Sequence, residues 1–546
     1  MKNILPTLLL VFAASVCFGQ QEEDPKVVYS GGFESNSQWY QPDDGIIFTL
    51  PSDRLRSNNY FTLRFNYGKF SAGAQYEAFA PSPLLGYFPG YEGNAIGTYF
   101  LKFKHEDLEI TGGHFYDQFG SGLIYRSWED RQLGIDNSIR GVRIHYDFTD
   151  YLAATAFTGN QREAFELSEG TVTGIDAELD LGYALELDTG IQLGASYVNR
   201  YQDSGSPDPN FPADVGAYSA RADFNFSSFF IGGEYVYKEE DAYVNNGLVE
   251  NNNYQEGQAL LINTGYATKG LGINATLRAM ENMGFYSDRE AAGNTFLLNT
   301  INYIPGYTKQ QDYAVSNIYV YAPQPAVIIG DEKAGEIGGQ VDVYYTIPKG
   351  TFLGGKYGTK LELNYSNWSG LDATFDTDNN TYEADLFSVG EKYYEEYSIG
   401  IKKRFSKKLS AIFTGIHVEY NGRIIEQNDF FLRGNMQILD VLYKLDGGRS
   451  IRADIQHLAT EADRGNWAAA TAEYSFSPYL SFYVTDLYNY DETDIHYYSV
   501  GGSYTKGRTR VALNYGRQRG GLVCVGGVCR FVPENTGLTL NISTNF

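Results

Sequence analysis

Apolar and polar side chains alternate strictly in one short segment after another of this 546-residue chain. At 536–546, Leu538, Leu540, Ile542 and Phe546 fall on one face, and threonine, serine and asparagine residues occupy the other. A period of two residues is that of a β-strand with one apolar face. The same alternation recurs at 61–67, 142–148, 175–181, 218–226 and 361–365. This pattern predicts an all-β protein.

Composition indicates that the apolar faces meet lipid. Beyond residue 20 no apolar stretch reaches the roughly 20 residues that a membrane helix needs, and the mean hydropathy is −0.34. A transmembrane β-barrel exposes only alternate residues to lipid, so a low mean hydropathy is normal for it. The 46 Tyr and 34 Phe residues suit strands with aromatic rings at the membrane interfaces. The net charge of −25 argues against nucleic-acid binding, which needs a basic face.

The alternating segments are joined in turn by tight and by long connections. A membrane barrel has short periplasmic turns and long extracellular loops, so this rhythm separates it from a soluble sandwich. We therefore predict a single closed antiparallel transmembrane β-barrel of about 24 strands, within a range of about 22–26. Tight connections are expected at 68–69, 106–107, 149–150, 227–228 and 406–408, and long ones at 80–97, 116–138, 240–256, 282–334, 370–391 and 520–535.

Closure of the sheet follows from backbone hydrogen bonding. An unpaired N–H or C=O group is costly in hydrocarbon, so an open sheet edge is not tolerated there. The first strand, near 27–39, is therefore expected to pair with the last, at 536–546. Two stretches, 431–445 and 480–490, alternate poorly, so the pattern does not define strands there.

The N-terminal residues indicate export. Residues 1–19 combine a lysine, a short apolar run and small residues, which is typical of a secretory signal peptide. We expect 20–546 to form the barrel in the cell outer membrane, and the terminal Phe546 resembles the C-terminal signal of such barrels. Lipidation of Cys17 is the alternative, although Val16 stands where a small residue should precede a lipidated cysteine.

Beyond the expected signal peptide the chain contains two cysteines. Cys524 and Cys529 flank the sequence Val-Gly-Gly-Val, a turn that brings two thiols together. An oxidising compartment would then close a local disulfide. A metal site is the alternative, but two thiols without a nearby histidine do not supply four ligands.

Two long connections stand out, 116–138 and 282–334. Both are dense in aromatic residues, which argues against disorder in these connections. A barrel of about 24 strands is also a wide pore if its lumen is left empty. We hypothesise that they fold into the lumen and narrow or plug it; the alternative is that they pack on one another above the rim. The candidate constriction residues are Tyr116, Gln118, Phe119, Arg126, Trp128, Glu129, Asp130, Arg131, Asp136 and Asn137.

Three stretches carry a resemblance to known sequences. The aromatic and glycine-rich stretch 113–141, the tyrosine–proline stretch 302–324 and the Cys524–Cys529 hairpin resemble an uncharacterised family of Gram-negative outer-membrane β-barrel proteins. The resemblance covers the whole mature chain and implies the same fold and location. It brings no activity, ligand or catalytic residue.

Motifs of enzyme chemistry were sought and none is supported. The six histidines stand at neither HxH nor HExxH spacing. Ser121 lies between glycines but lacks the strand–turn–helix setting of a nucleophile elbow. Asp376 begins a sequence like a calcium loop, yet Thr381 replaces the required glycine. We therefore predict no catalytic residue, no cofactor and no metal, and expect that the protein is not an enzyme.

Two functions fit these observations. The first is a porin-like or loop-plugged channel for an unknown solute. The alternative is a non-catalytic structural or accessory subunit of an outer-membrane secretion or assembly complex. A TonB-dependent receptor is disfavoured, because residues 20–60 leave no room for its N-terminal plug domain. The expected partners are the lipid bilayer and other outer-membrane or periplasmic proteins, with no nucleic acid.

Overall fold

The computed structural model describes residues 26–203, 206, 208–245 and 248–546, so the expected signal peptide lies outside the described residues. One sheet contains 24 long strands. They are β1 (Val28–Tyr40), β2 (Leu55–Tyr67), β3 (Phe70–Phe79), β4 (Gly93–His105), β5 (Leu108–Phe115), β6 (Ile139–Thr149), β7 (Leu152–Glu163), β8 (Glu166–Asp180), β9 (Gly190–Tyr201), β10 (Asp214–Phe226), β11 (Phe229–Asn245), β12 (Leu248–Thr268), β13 (Leu271–Glu281), β14 (Glu336–Ile347), β15 (Thr359–Ser369), β16 (Lys392–Arg404), β17 (Leu409–Asn421), β18 (Phe431–Lys444), β19 (Ser450–Thr460), β20 (Trp467–Ser477), β21 (Leu480–Asn489), β22 (Ile495–Lys506), β23 (Thr509–Gln518) and β24 (Asn535–Asn545).

The sheet closes on itself. Each strand pairs antiparallel with the next along the chain. The last strand, β24, pairs with β1, which places Ser37 opposite Leu540. These pairings confirm the predicted closed antiparallel barrel, its strand number and the pairing of its first and last strands.

Most tight connections lie at one end of the barrel and most long ones at the other, as predicted; the two-residue connection 164–165 is an exception at the loop end. The turn end has mostly two-residue connections such as 68–69 and 227–228, with 181–189 and 348–358 as longer exceptions. The predicted long connection at 240–256 is wrong, because β11 and β12 continue to pair as far as Asn245 opposite Leu248. This stretch is rich in Glu and Asn, so it lacks an apolar face that would reveal a strand, but backbone pairing does not require one.

The outer surface of the turn-side half of the barrel is apolar. Phe61 and Phe65 of β2, Ile399 of β16, Phe413 of β17 and Leu439 of β18 point outward and are exposed. A continuous outward-facing apolar band is the lipid-contacting surface of a transmembrane β-barrel. The protein is therefore an outer-membrane barrel, as the sequence predicted.

Strand β18 explains why 431–445 alternates poorly. In its loop-side half Leu432, Met436 and Ile438 point inward and are buried, while Arg433 and Gln437 point outward. The three apolar side chains pack in a cluster with residues of the long connection between β13 and β14. In the turn-side half the apolar side chains point to lipid instead. The apolar pattern therefore changes face within one strand.

Helices in the described residues are short. They are α1 (Leu181–Ala184) and α2 (Gly422–Ile425), with 3₁₀ turns at Ala292–Phe296, Val315–Asn317, Ile329–Asp331 and Asp446–Gly448. Within the described ranges, no helix combines the length and the apolar character needed to cross a membrane.

The long connections contain small two-stranded hairpins. We refer to 116–138 as the first connection, 282–335 as the second connection, and 521–532 as the cysteine hairpin. The paired short strands are Gln118–Phe119 with Tyr125–Arg126, Glu129–Asp130 with Ile135–Asp136, Val327–Ile328 with Lys333–Ala334, Ala373–Asp376 with Thr381–Ala384, and Gly521–Val525 with Val528–Val532.

The change of face in β18 gives a test of the fold. Replacing Ile438, which is 1 % exposed, with alanine should destabilise the barrel by about 2–5 kcal/mol, because truncating a buried side chain leaves a cavity in the packing. The same replacement of the neighbouring Gln437 should stay within about 0.5 kcal/mol. The thermal midpoint of the heat-modifiable gel band measures both. Equal effects of the two replacements would contradict the assigned faces.

Candidate functional site

The first and second connections bind each other. The Arg126 backbone N–H donates to the Ile301 carbonyl at 2.9 Å, and the Tyr303 N–H donates to the Gly122 carbonyl at 2.9 Å. The Arg126 guanidinium lies 4.0 Å from the centre of the Tyr303 ring. Trp128 packs edge-on against the same ring, with the centroids 5.4 Å apart. The two connections therefore form one folded unit.

The cysteine hairpin is the third part of this unit. Cys524 and Cys529 form the predicted disulfide. In the turn between them, the Gly527 carbonyl accepts a hydrogen bond from the Gly306 N–H at 2.7 Å. The Tyr303 hydroxyl donates to the Gly526 carbonyl at 3.1 Å. The three stretches on which the family resemblance depends thus contact one another.

Charged side chains of the first connection are paired with the barrel wall. The Asp117 carboxylate accepts from Arg143 of β6 at 2.5 Å. The Arg131 guanidinium pairs with Glu34 of β1 at 2.8 Å. Both wall residues lie on inward-facing positions of their strands. The first connection is therefore held from at least two parts of the wall.

Arg162 of β7 is the most deeply buried of these wall anchors. Its side chain is 2 % exposed, and its Nη2 lies 2.6 Å from Glu77 Oε2 of β3. The same guanidinium donates to the Asp136 carboxylate of the first connection. Removing one partner from a buried ion pair costs about 3–5 kcal/mol, because a charge remains without compensation.

The second connection has an equivalent anchor in Arg278 of β13. Its guanidinium, fully buried, pairs with Glu336 of β14 at 2.5 Å and donates to the Pro305 carbonyl at 2.7 Å. It also lies 4.8 Å from the Tyr307 ring and 5.1 Å from the Trp368 ring. A cation close to two aromatic faces is stabilised further by their quadrupoles.

The second connection contacts opposite walls of the barrel. On one side the Ser287 hydroxyl donates to Gln161 of β7 at 2.7 Å. On the other side the Val315 N–H donates to Gln456 of β19 at 3.1 Å. Strands 7 and 19 are half a turn apart in a ring of 24. The connection therefore crosses the width of the barrel.

Apolar contacts accompany these hydrogen bonds on both sides. Val315, Ile318 and Tyr319 belong to a buried cluster with inward-facing residues of the strands from β15 to β22. Phe119 and Tyr125 belong to a second cluster with residues of the strands from β5 to β13. The two clusters together include inward-facing residues of the strands from β5 to β13 and from β15 to β22.

Burial shifts the pKa values of two titratable side chains in the second connection. Lys333 is 8 % exposed, and its ammonium donates to Gln324 at 2.8 Å. Burial lowers the pKa of Lys333 to about 8, and Asp331 and Glu336 oppose that shift. Burial likewise raises the pKa of Tyr321, which donates to Glu336.

Five of the predicted constriction residues make contacts within or around the first connection. Tyr116 donates to Asp136 at 3.1 Å. Gln118 is exposed and donates to a backbone carbonyl in its own connection. Asp130 accepts from two backbone N–H groups that follow it. Asn137 donates to the Thr300 carbonyl at 3.1 Å, which joins it to the second connection.

The remaining predicted residues occupy different positions in the unit. Arg126 and Trp128 pack on Tyr303, as described above, and Phe119 lies in the buried cluster. Arg131 binds Glu129 at 2.8 Å as well as the wall. All ten predicted residues therefore lie in one region, but sequence reasoning did not find the wall arginines Arg162 and Arg278. Arg278 lies just before the long second connection, which is a weak signal in the sequence, whereas Arg162 precedes the two-residue connection 164–165 and has no such signal.

Two cavities lie against a short stretch of the second connection. The cavity nearer the loop end of the barrel, called the upper cavity, has a volume of about 270 Å³ and is lined by residues 308–312 and by Tyr394, Glu396 and Met436. The lower cavity, about 240 Å³, is lined by Glu362 and Lys402 together with Lys309 and Gln311. Across the described ranges, no group of three His, Cys, Asp or Glu side chains is placed to hold a metal ion.

The sequence matches a known family over its whole length. The model of a family of unknown function (DUF6029) covers residues 1–546. The chain belongs to that family. This result confirms the predicted membership of an uncharacterised family and assigns no activity. No curated protein matches the sequence.

Solved structures similar to this DUF6029 member have low sequence identity to it. The siderophore receptor PirA from Pseudomonas aeruginosa is 9 % identical, with 96 % of this chain and 81 % of that chain covered and a TM-score of 0.41. The translocation pore of the P pilus usher PapC is 9 % identical, with 95 % and 99 % covered and a TM-score of 0.43. A BenF-like porin from Pseudomonas fluorescens Pf-5 is 10 % identical, with 96 % and 99 % covered and a TM-score of 0.38.

The Arg162 anchor gives a second test. Replacing Arg162 with methionine should lower stability by about 3–5 kcal/mol, because Glu77 and Asp136 are left buried without a cation. Adding Glu77→Gln and Asp136→Asn to that variant should restore part of the loss. Replacing the exposed Arg140 of β6 with methionine is the matched control. The thermal midpoint and protease cleavage of the first connection measure the effect; an unchanged midpoint for the Arg162 variant would exclude the anchoring role.

Proposed function

We propose that this protein is a loop-plugged, non-catalytic channel of the outer membrane whose first and second connections close the lumen. The observation that carries the proposal is the second connection's contact with both β7 and β19, through Gln161 and Gln456. A segment bound to opposite walls divides the space between them. The signal peptide at 1–19 belongs to the same proposal, since an outer-membrane barrel must be exported.

Gln161 lies near the loop-side end of β7, but the contacts with β17, β19 and β6 lie deeper and favour closure within the barrel over packing above its rim. Tyr313 approaches Thr414, and Val315 binds Gln456; both wall residues lie about halfway along their strands. The first connection reaches Arg143, which is also near the middle of β6. A barrel of this width without such contents would conduct as a wide pore.

The plug can be tested by shortening it. Gly306 lies against Tyr321 and Pro323, so the two ends of the intervening stretch are adjacent. Residues 308–320 can therefore be replaced with a short Gly-Ser linker while Tyr307 and Tyr321 remain around Arg278. We expect the wild-type protein to show little conductance in planar bilayers and the shortened variant to show a wide, persistent one.

Shortening the exposed turn at 377–380, in the connection between β15 and β16, is the matched control and should leave conductance unchanged. Heat-modifiable migration verifies that each variant is folded. A wide conductance of the wild-type protein, or closed behaviour of the shortened variant, would refute the plug.

A second function, that of an accessory subunit, is favoured by the long hairpin of β11 and β12. Their pairing extends to Asn245 and Leu248, well beyond the ends of the neighbouring strands. The edges of such a projecting hairpin offer backbone hydrogen-bonding groups to another protein. Shortening it between Glu240 and Glu256 should abolish stoichiometric co-purification from gently solubilised membranes if the hairpin binds a partner. Unchanged co-purification would exclude that role for the hairpin.

A further inference from the structure

Lys309 of the second connection is held by the barrel wall in a site suited to a cation. Its ammonium donates to the Tyr344 hydroxyl at 2.8 Å and lies 4.7 Å from the centre of that ring. It also lies 3.5 Å from Asp342 Oδ1 and 4.0 Å from Glu362 Oε2. Two carboxylates and one aromatic face are groups that bind an organic ammonium ion.

Lys309 also lies in the partition between the two cavities. Lys309 and Gln311 line both the upper and the lower cavity. The backbone from 308 to 312 therefore separates two spaces of about 270 and 240 Å³. Movement of this short stretch would join them into one route beside β16, which contributes Glu396 above and Lys402 below.

The upper cavity favours positive charge. Among its described lining residues, Lys309 is the one lysine or arginine, and its ammonium is bound to the wall. Glu396 is 6 % exposed; its Oε2 accepts from Tyr394 at 2.7 Å, while its Oε1 has no hydrogen-bond partner among the described residues. A buried carboxylate is stable when a cation or hydrogen-bond donor compensates it.

The apolar part of a solute would also find a surface in the upper cavity. Ile416, Val418 and Met436 line it beside Glu396, and all three are buried inward-facing residues of β17 and β18. An apolar wall next to a carboxylate suits a small organic cation better than a hydrated inorganic ion.

We propose that the solute of this channel is a small organic ammonium ion, and that the Lys309 ammonium occupies its position between Asp342 and Glu362 as a tethered competitor. An incoming ammonium ion exchanges with Lys309, which releases residues 308–312 and joins the two cavities. This inference rests on the proposed plugged channel and names its solute class and its gating residue.

The experiment uses the full-length protein in planar bilayers with methylammonium chloride. Lys309→Met should open roughly fivefold more often than the wild type, the upper end of what one partly exposed ion pair contributes. Lys309→Arg should remain near the wild type, because it keeps the charge. Replacing sodium chloride with methylammonium chloride at equal concentration should increase opening of the wild type.

The matched control is Lys102→Met. Lys102 pairs with Glu109 at 2.8 Å on the wall, away from the second connection, so its replacement should leave opening unchanged. In the Lys309→Met background, Glu396→Gln should reduce the permeability of methylammonium relative to chloride, measured as a shift in reversal potential. Heat-modifiable migration confirms folding of each variant.

The outcomes separate this inference from the proposed function. If replacement of 308–320 opens the channel but Lys309→Met does not, the plug stands and the role of Lys309 is refuted. If Lys309→Met opens the channel and chloride carries the current, the solute class is refuted. If neither variant opens, the plugged channel and this inference both fail.

Discussion

Closure of the backbone hydrogen-bond ring is the constraint on which the rest of this structure depends. In lipid every N–H and C=O group needs a partner within the protein, so β24 must return to β1. A ring of 24 strands encloses a wide lumen. In the plugged channel that we propose, the first and second connections occupy that lumen, and the contacts of the second connection with β7 and β19 span the barrel's width.

The inner wall determines how such contents are held. Because lipid takes the apolar face of each strand, the inward face is largely polar and charged, as Arg143 and Glu34 show. The connections therefore attach through ion pairs and hydrogen bonds, and the deepest of these involve Arg162 and Arg278. The side chains of these two ion pairs are almost fully buried, so water is excluded from them and each pair is electrostatically stronger than an exposed one. Where the wall is apolar, as at Met436 of β18, the connection contacts it with its own apolar residues.

The lipid outside the barrel and the protein-lined space inside it explain what the sequence could and could not predict. The barrel, its strand number and its closure follow from alternation, which reports reliably where the outer face meets lipid. Alternation is absent at 240–256, where the strands lack an apolar face, and it is obscured in β18, where apolar residues change face because they pack on the second connection. Arg162 and Glu77 are separated by 85 residues in the sequence. No local pattern pairs such residues, so the anchors of the candidate site emerge only from the fold, whereas the aromatic density of 116–138 is evident in the sequence itself.

The ion pairs that hold the second connection differ in burial, and this difference indicates which part of the connection can move. Pro305 and Tyr307 are held at the fully buried Arg278, so displacing them would expose a buried charge pair at considerable cost. Lys309 forms ion pairs with Asp342 and Glu362. Both pairs are partly exposed to solvent, and each one is weak. Gly306 and Pro323 lie side by side. The stretch between them is therefore a loop with adjacent ends, and those ends can stay in place when the middle of the loop moves. In the proposed channel, opening therefore breaks the partly exposed Lys309 ion pairs and leaves the fully buried Arg278 pair intact, so the plug need not unfold.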